Sequence, residues 1–141
     1  MKKILLTSIG FFFVSSVSSD EPAPVIPDSV NDVMISIIAP ATNTLWGIDD
    51  PQTDDDWQVF IDAADAVVAT ASELKGGGAG PSDQQWAESP DWQAFADRLI
   101  EAGSAAREAA ENKDVDAMYA AGDILYPPCE DCHNQFHPGL Q

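Results

Sequence analysis

Basic residues are scarce in this chain. Its 141 residues include 6 lysines and arginines against 24 aspartates and glutamates, a formal net charge of −18. A surface this acidic repels nucleic acid and anionic lipid, which argues against both as ligands. The composition instead favours protein partners whose surfaces are basic.

Long apolar runs are almost as rare. The run Ile4–Val14 follows two lysines and precedes the small residues 15–19, which is the order of a secretory signal peptide. We predict a signal peptide over residues 1–19, and its removal takes two lysines and no acids, which leaves a net charge of −20. The run is short for a bilayer span, and no other run is long enough. We therefore expect an exported protein with no membrane span after cleavage.

Strand-like alternation is absent, and so is a phosphate-binding loop. The glycine-rich stretch 76–81 lacks the Lys-Ser/Thr pair that follows such a loop, so we expect a flexible connection running to about Glu88. Prolines crowd residues 20–27, which indicates an extended lead-in. Trp86 is expected to fold back onto the core.

Apolar residues recur every three or four positions in four stretches, each of which predicts a helix. The helices are expected at about Ser29–Gly47, Thr53–Lys75, Ser89–Lys113 and Asp114–Phe136. Pro40 should bend the first helix, and Pro127-Pro128 should kink the last one and restart it as a short helix. Short or modest loops between four helices imply an all-α, antiparallel up-down-up-down four-helix bundle, a single domain over residues 28–141.

Cysteine occurs only twice, and both copies fall in one motif. Cys129, Cys132 and His133 read C-x-x-C-H, the spacing at which haem is attached covalently in c-type cytochromes. Residues three apart lie on one face of a helix, so both thiols can form thioethers with the haem vinyl groups. The His133 imidazole then binds the iron from the proximal side. The motif predicts one covalent haem c.

Three other interpretations of the cysteines stay open. A C-x-x-C pair can be a redox dithiol, although that usually accompanies a βαβ pattern. It can close a small disulfide, which export permits. With His133 and His137 the two thiols could also bind zinc, although zinc ligands usually come from two separated elements.

The motif at the end of a four-helix chain resembles the class II c-type cytochromes, the cytochrome c′ family and its low-spin relatives. Phe136 matches the aromatic residue that follows the family's motif, and Val33-Met34 resembles the position over the distal haem face. The resemblance implies a haem pocket that includes Phe136, Val33 and, one turn on, Ile37. The chain departs from the family at Val30 and His137, where the family often carries a cation near a haem propionate.

The sixth iron ligand decides between two branches of that family. Met1 leaves with the signal peptide, and Met118 lies about 20 Å before His133 on the same helix, so it cannot reach the opposite haem face. His137 follows His133 by one turn, on the proximal side, and is expected to be exposed. Met34 is the remaining candidate, although a methionine in an apolar stripe is more often a core residue.

With Met34 bound, the expected function is that of a periplasmic monohaem electron carrier, not an enzyme, with basic-surfaced redox proteins as partners. With the distal site open, the alternative is a five-coordinate protein that binds nitric oxide or carbon monoxide. Family members often dimerise through their first two helices, so a homodimer is a further expectation. Tyr119 and Tyr126 are expected to be pocket or core aromatics.

Overall fold

A computed structural model describes residues 28–137, so the predicted signal peptide 1–19, the lead-in 20–27 and residues 138–141 lie outside the described part. Within 28–137 all regular structure is helical, and there is no strand. The elements are α1 (Val30–Val33), a π-helical turn (Met34–Ile38), α2 (Ala39–Trp46), α3 (Asp54–Leu74), α4 (Asp83–Ala87), α5 (Pro90–Glu111) and α6 (Val115–Phe136). None of these helices is long and apolar enough to cross a membrane.

Side chains cap three of the four predicted helix starts. The Ser29 hydroxyl accepts a hydrogen bond from the amide of Asp32 at 3.1 Å, in the first turn of α1. Thr53 and Asp56 form a reciprocal capping box at the start of α3, with hydrogen bonds of 3.1 and 2.9 Å. The Asp114 carboxylate accepts a single capping hydrogen bond from the amide of Ala117 at 3.0 Å, in the first turn of α6. These bonds satisfy amides that a helix start otherwise leaves without partners.

The core lies among the long helices. α3 packs along α5, α5 packs along α6, and α2 contacts both α3 and α6. Gly103 lets α5 come close to α3, because a Cβ at this position would lie 2.9 Å from a methyl group of Val68 on α3. The most completely buried large side chains are Leu45, Val67, Met118 and Leu125. The all-helical class is confirmed.

The first helical segment, defined here as α1, the π-helical turn and α2, is irregular just before Pro40, where the sequence predicted a bend. The amide of Ala39 donates to the carbonyl of Met34, five residues back, as in a π-helix. A proline ring clashes with the carbonyl four residues before it, here that of Ser36, and a wider turn relieves such a clash. The extra residue also shifts the helical phase, so Ile38 is buried while Ile37 is 40% exposed.

The last helix differs from its prediction. α6 is continuous from Val115 to Phe136 with Pro127 and Pro128 inside it, so the expected restart as a separate short helix is wrong. Two adjacent prolines remove only two amide donors, while Leu125 and Pro128 are both buried. Leu125 before the prolines and Cys129 after them both pack against the core, which keeps one helix intact.

The glycine-rich stretch is an anchored turn instead of a flexible connection. Asp83, 3% exposed, accepts hydrogen bonds from the amides of Val30 and Gly80, both at 2.8 Å. A Cβ at Gly80 would lie 2.5 Å from the same carboxylate, so only glycine fits beside it. The short helix α4 then carries Trp86 back onto Trp92, with ring centroids 5.7 Å apart, as expected. The Asp83 carboxylate thus joins this loop to the start of α1.

Asp83→Ala is expected to lower the free energy of unfolding by about 2–4 kcal/mol, because it leaves two backbone amides without their charged acceptor. Urea denaturation of the variant and of the wild type measures the difference. Asp49→Ala is the control, since Asp49 is exposed, and it should change stability by at most about 0.5 kcal/mol. Equal effects of the two substitutions would show that the Asp83 carboxylate does not anchor the loop.

Candidate functional site

An apolar cavity of about 350 Å³ separates the first helical segment from the end of α6. Cys129, Cys132 and His133 line it from α6, and Met34 lines it from the π-helical turn. The rest of its wall comes from Ile35, Ile38, Ala39, Thr42 and Trp46 and, on the other side, from Leu74, Trp92, Phe95, Ala96, Leu99 and Pro128. Its volume is within the range of small-molecule sites.

A second cavity of about 210 Å³ adjoins the first and shares Met34, Cys132 and His133 with it. Phe136 and His137 line this second cavity from α6. The Nδ1 atom of His137 is buried and has no hydrogen-bond partner, although the sequence led us to expect an exposed side chain. A buried polar atom without a partner is costly, which indicates that a polar group of a ligand would be favourable there.

The two other predicted pocket residues on the first helical segment line neither cavity. Val33 is buried in a cluster with Val30, Leu74 and Trp92. Ile37, which is 40% exposed, does not line the larger cavity, whereas Ile38, which is buried, and Ile35, which is 67% exposed, both do. The phase shift of the π-helical turn accounts for this exchange, because it rotates the residues that follow Met34.

An aromatic wall encloses the motif from the α5 side. Phe136 lies edge-on to Trp92, with ring centroids 5.2 Å apart, and edge-on to Phe95 at 6.2 Å. The Trp92 indole donates to the carbonyl of Leu74 at 2.7 Å, which fixes its ring. Trp92 and Phe95 belong to the apolar spacing of the third predicted helix, but they were not assigned to the site from the sequence. The helical spacing of Trp92, Phe95 and Leu99 on the first half of α5 could have assigned them to the site. In an antiparallel pair of helices, the first half of α5 lies beside the end of α6, which carries the motif.

Polar contacts also join the motif to α5. Arg98 forms an ion pair of 2.8 Å with Asp131, one of the two residues between the cysteines, and the Gln135 amide donates to Asp91 at 2.9 Å. Both members of the ion pair are about half exposed, so it contributes only about 0–1 kcal/mol. These contacts orient the end of α6 more than they stabilise it.

Burial changes the protonation of the three motif side chains. It raises the pKa of the Cys129 thiol, and together with the nearby Cys129 it raises the pKa of Cys132 to about 11. It lowers the pKa of His133, and the charge of His137 lowers it further. At neutral pH the thiols are therefore protonated, and the imidazole is neutral, the form that binds a metal.

Alkylation of Cys132 in the haem-free chain is therefore expected to be slow at neutral pH. Raising the pKa from the ordinary 9.0 to about 11 lowers the thiolate fraction by roughly 100-fold. The rate should rise about tenfold per pH unit until the pH reaches that pKa. Iodoacetamide labelling followed by mass spectrometry measures it, with a short cysteine peptide as the reference. Labelling as fast as the peptide's would contradict the burial of this thiol.

The raised pKa values and the arrangement of the thiols argue against the other interpretations of the cysteines. A redox dithiol needs a thiol with a lowered pKa, and here burial raises both values. The two thiols are not joined in a disulfide. No group of three or more histidine, cysteine or acidic side chains in the described part of the chain is arranged to hold a metal ion, which gives the zinc interpretation no support.

The residues fit a covalently bound haem. Two thiols and an imidazole line one apolar cavity, a thioether comes from another helix, and a buried imidazole nitrogen without a partner lies beside them. The Nδ1 atom of His137 can donate to a carboxylate of the haem, and the apolar walls of the cavity suit its macrocycle. Comparison with known proteins finds no matching family model, no matching curated protein and no matching solved structure.

Proposed function

We propose that the chain is an exported monohaem c-type cytochrome that carries one electron, with His133 and Met34 as the axial ligands of the iron. One observation supports this most strongly. Met34, from the first helical segment, lines the same cavity as the C-x-x-C-H residues of α6. A thioether and an imidazole from two elements are the donors that a six-coordinate electron-transfer haem requires.

Each side chain has a separate role in this proposal. Cys129 and Cys132 hold the macrocycle through thioethers, His133 binds the iron on the proximal side, and Met34 binds it on the distal side. Haem supplies the one-electron chemistry. The Trp92 and Phe95 wall excludes water, and the Met34 sulfur raises the reduction potential. The function requires no further substrate, so we propose a carrier and not an enzyme.

The architecture we propose is an antiparallel up-down-up-down four-helix bundle. Its members are the first helical segment, α3, α5 and α6, and α4 belongs to the loop between the second and third members. The pairwise packing of these helices supports it. Haem attachment of this kind takes place outside the bacterial cytoplasm, and the predicted signal peptide agrees with a periplasmic location.

A second candidate is a five-coordinate protein that binds nitric oxide or carbon monoxide. The larger cavity continues past Met34 along α2 as far as Asn43 and Trp46, so its distal part is not closed by Met34 alone. This function requires that the Met34 sulfur does not hold the iron, or that a gas displaces it.

Absorption spectra of the periplasm-expressed protein in both oxidation states test the proposal. A low-spin ferric spectrum with a sulfur-to-iron charge-transfer band is expected for His133 and Met34 ligation. A high-spin ferric spectrum that shifts on addition of nitric oxide would favour the gas-binding function. A colourless protein would refute both.

A further inference from the structure

Three large aromatic side chains lie on the surface beside the haem cavity. Tyr119 and Tyr126 are 55% and 56% exposed, so the expectation that they are pocket or core residues is wrong. With Trp46 they surround a groove of about 570 Å³ between α2 and α6, floored by Leu45, Met118 and Gly122. Within the described part of the chain, no element covers this groove.

Acidic residues alternate with the tyrosines along this face of α6. Asp116, Tyr119, Asp123, Tyr126 and Glu130 follow one another at spacings of three and four, which places them on one side of a helix. We call this set the acidic-aromatic stripe. Its three carboxylates are exposed and form no ion pair within residues 28–137.

Every lysine and arginine in the described part of the chain forms an ion pair away from the stripe. Each one pairs with a carboxylate: Lys75 with Asp97, Arg98 with Asp131, Arg107 with Asp65 and Glu111, and Lys113 with Asp54. No cation of residues 28–137 therefore neutralises the stripe. Its charge complements a basic partner and repels a second copy of this acidic chain.

Trp46 connects the groove to the haem cavity. Its side chain lines both of them, and its indole donates to the carbonyl of Gly122 at 3.1 Å. Its ring lies 6.4 Å from that of Tyr126. The Trp46 side chain therefore lies between the cavity and a molecule seated in the groove.

We propose that the acidic-aromatic stripe and its groove are the docking surface for the redox partner, a protein whose contact face is rich in lysine or arginine. This inference rests on the proposed electron-carrier function. The charged groups of lysine and arginine bind exposed carboxylates and lie over the faces of tyrosine and tryptophan rings. A surface on which carboxylates and aromatic rings alternate can therefore bind them in both ways. A haem held in the adjacent cavity would exchange one electron with the redox centre of the docked partner, with no transfer of atoms or protons.

The test uses the haem-loaded protein and mitochondrial cytochrome c as a lysine-rich probe. Stopped-flow absorbance gives the second-order rate constant for electron exchange at low ionic strength. The double variant Asp116→Asn with Asp123→Asn should lower it at least about fivefold and weaken its dependence on salt. The control is Glu101→Gln with Glu108→Gln, the same change of net charge at exposed positions of α5, and it should lower the rate less than about twofold.

The aromatic part of the stripe has its own pair of variants. Tyr119→Ser should slow electron exchange with the probe, whereas Val59→Ser, at a position of α3 that is 54% exposed, should not. Equal slowing by the stripe and control variants would overturn the docking surface while leaving the carrier function intact. Loss of a homodimer in the stripe variants, seen by light scattering, would also overturn it. A wild type without haem would overturn the carrier function and this inference together.

Discussion

Replacing both thiols, Cys129→Ser with Cys132→Ser, is expected to abolish covalent haem attachment completely. Each thioether needs a cysteine sulfur, and no other cysteine exists in the chain to replace them. The wild-type protein from the periplasm should weigh one haem more than its processed polypeptide, and the double variant should weigh the polypeptide alone. Intact-mass spectrometry under denaturing conditions makes the comparison.

Two controls separate attachment from folding. Residues 20–141 expressed in the cytoplasm, without residues 1–19, should fold and remain free of covalent haem, because attachment takes place after export. Ser104→Ala, at an exposed position of α5, should carry haem like the wild type. A wild-type mass without haem would refute the cytochrome proposal and leave an acidic helical protein of another function.

Met34→Leu is expected to change the ferric protein from low-spin to high-spin and to remove the sulfur-to-iron charge-transfer band. Leucine has a similar volume but cannot bind iron, so the substitution removes the ligand with little change in packing. The reduction potential should fall by on the order of 100 mV, a fraction of the range of roughly 0.8 V that axial ligands span. Absorption spectra and a redox titration measure both effects.

Met118→Leu supplies the matched control, because it makes the same chemical change at a methionine that is 1% exposed and lies in the core. Its spectrum and potential should equal those of the wild type. If Met34→Leu instead leaves an already high-spin spectrum unchanged, the distal site is open. The gas-binding function then becomes the better assignment.

Much of this fold follows from local chemistry that a single sequence carries. The capping residues Ser29, Thr53 and Asp114 begin helices because their side chains satisfy amides only a few residues away. The helices follow the apolar spacing, because that spacing is set by the 3.6-residue period itself. The motif needs no tertiary information either, since its two thiols and imidazole are neighbours along the chain.

Other features depend on residues that meet only after folding. The π-helical turn arises from Pro40 in its packed surroundings, and it brings Ile35 and Ile38 to the cavity, where the family resemblance implied Ile37. Asp83 anchors a glycine-rich loop to α1 through a contact 53 residues away in sequence, which no local pattern encodes.

The sequence by itself determined the four main helical stretches, most of their starts and the C-x-x-C-H motif, because each depends on interactions within a few residues. Only the tertiary structure decided which side chains face the cavity and which face solvent. The tertiary structure placed Met34 across the cavity from the helix that carries His133, and it left Tyr119 and Tyr126 on the surface. The reason is that the side a helix buries depends on the helices packed against it.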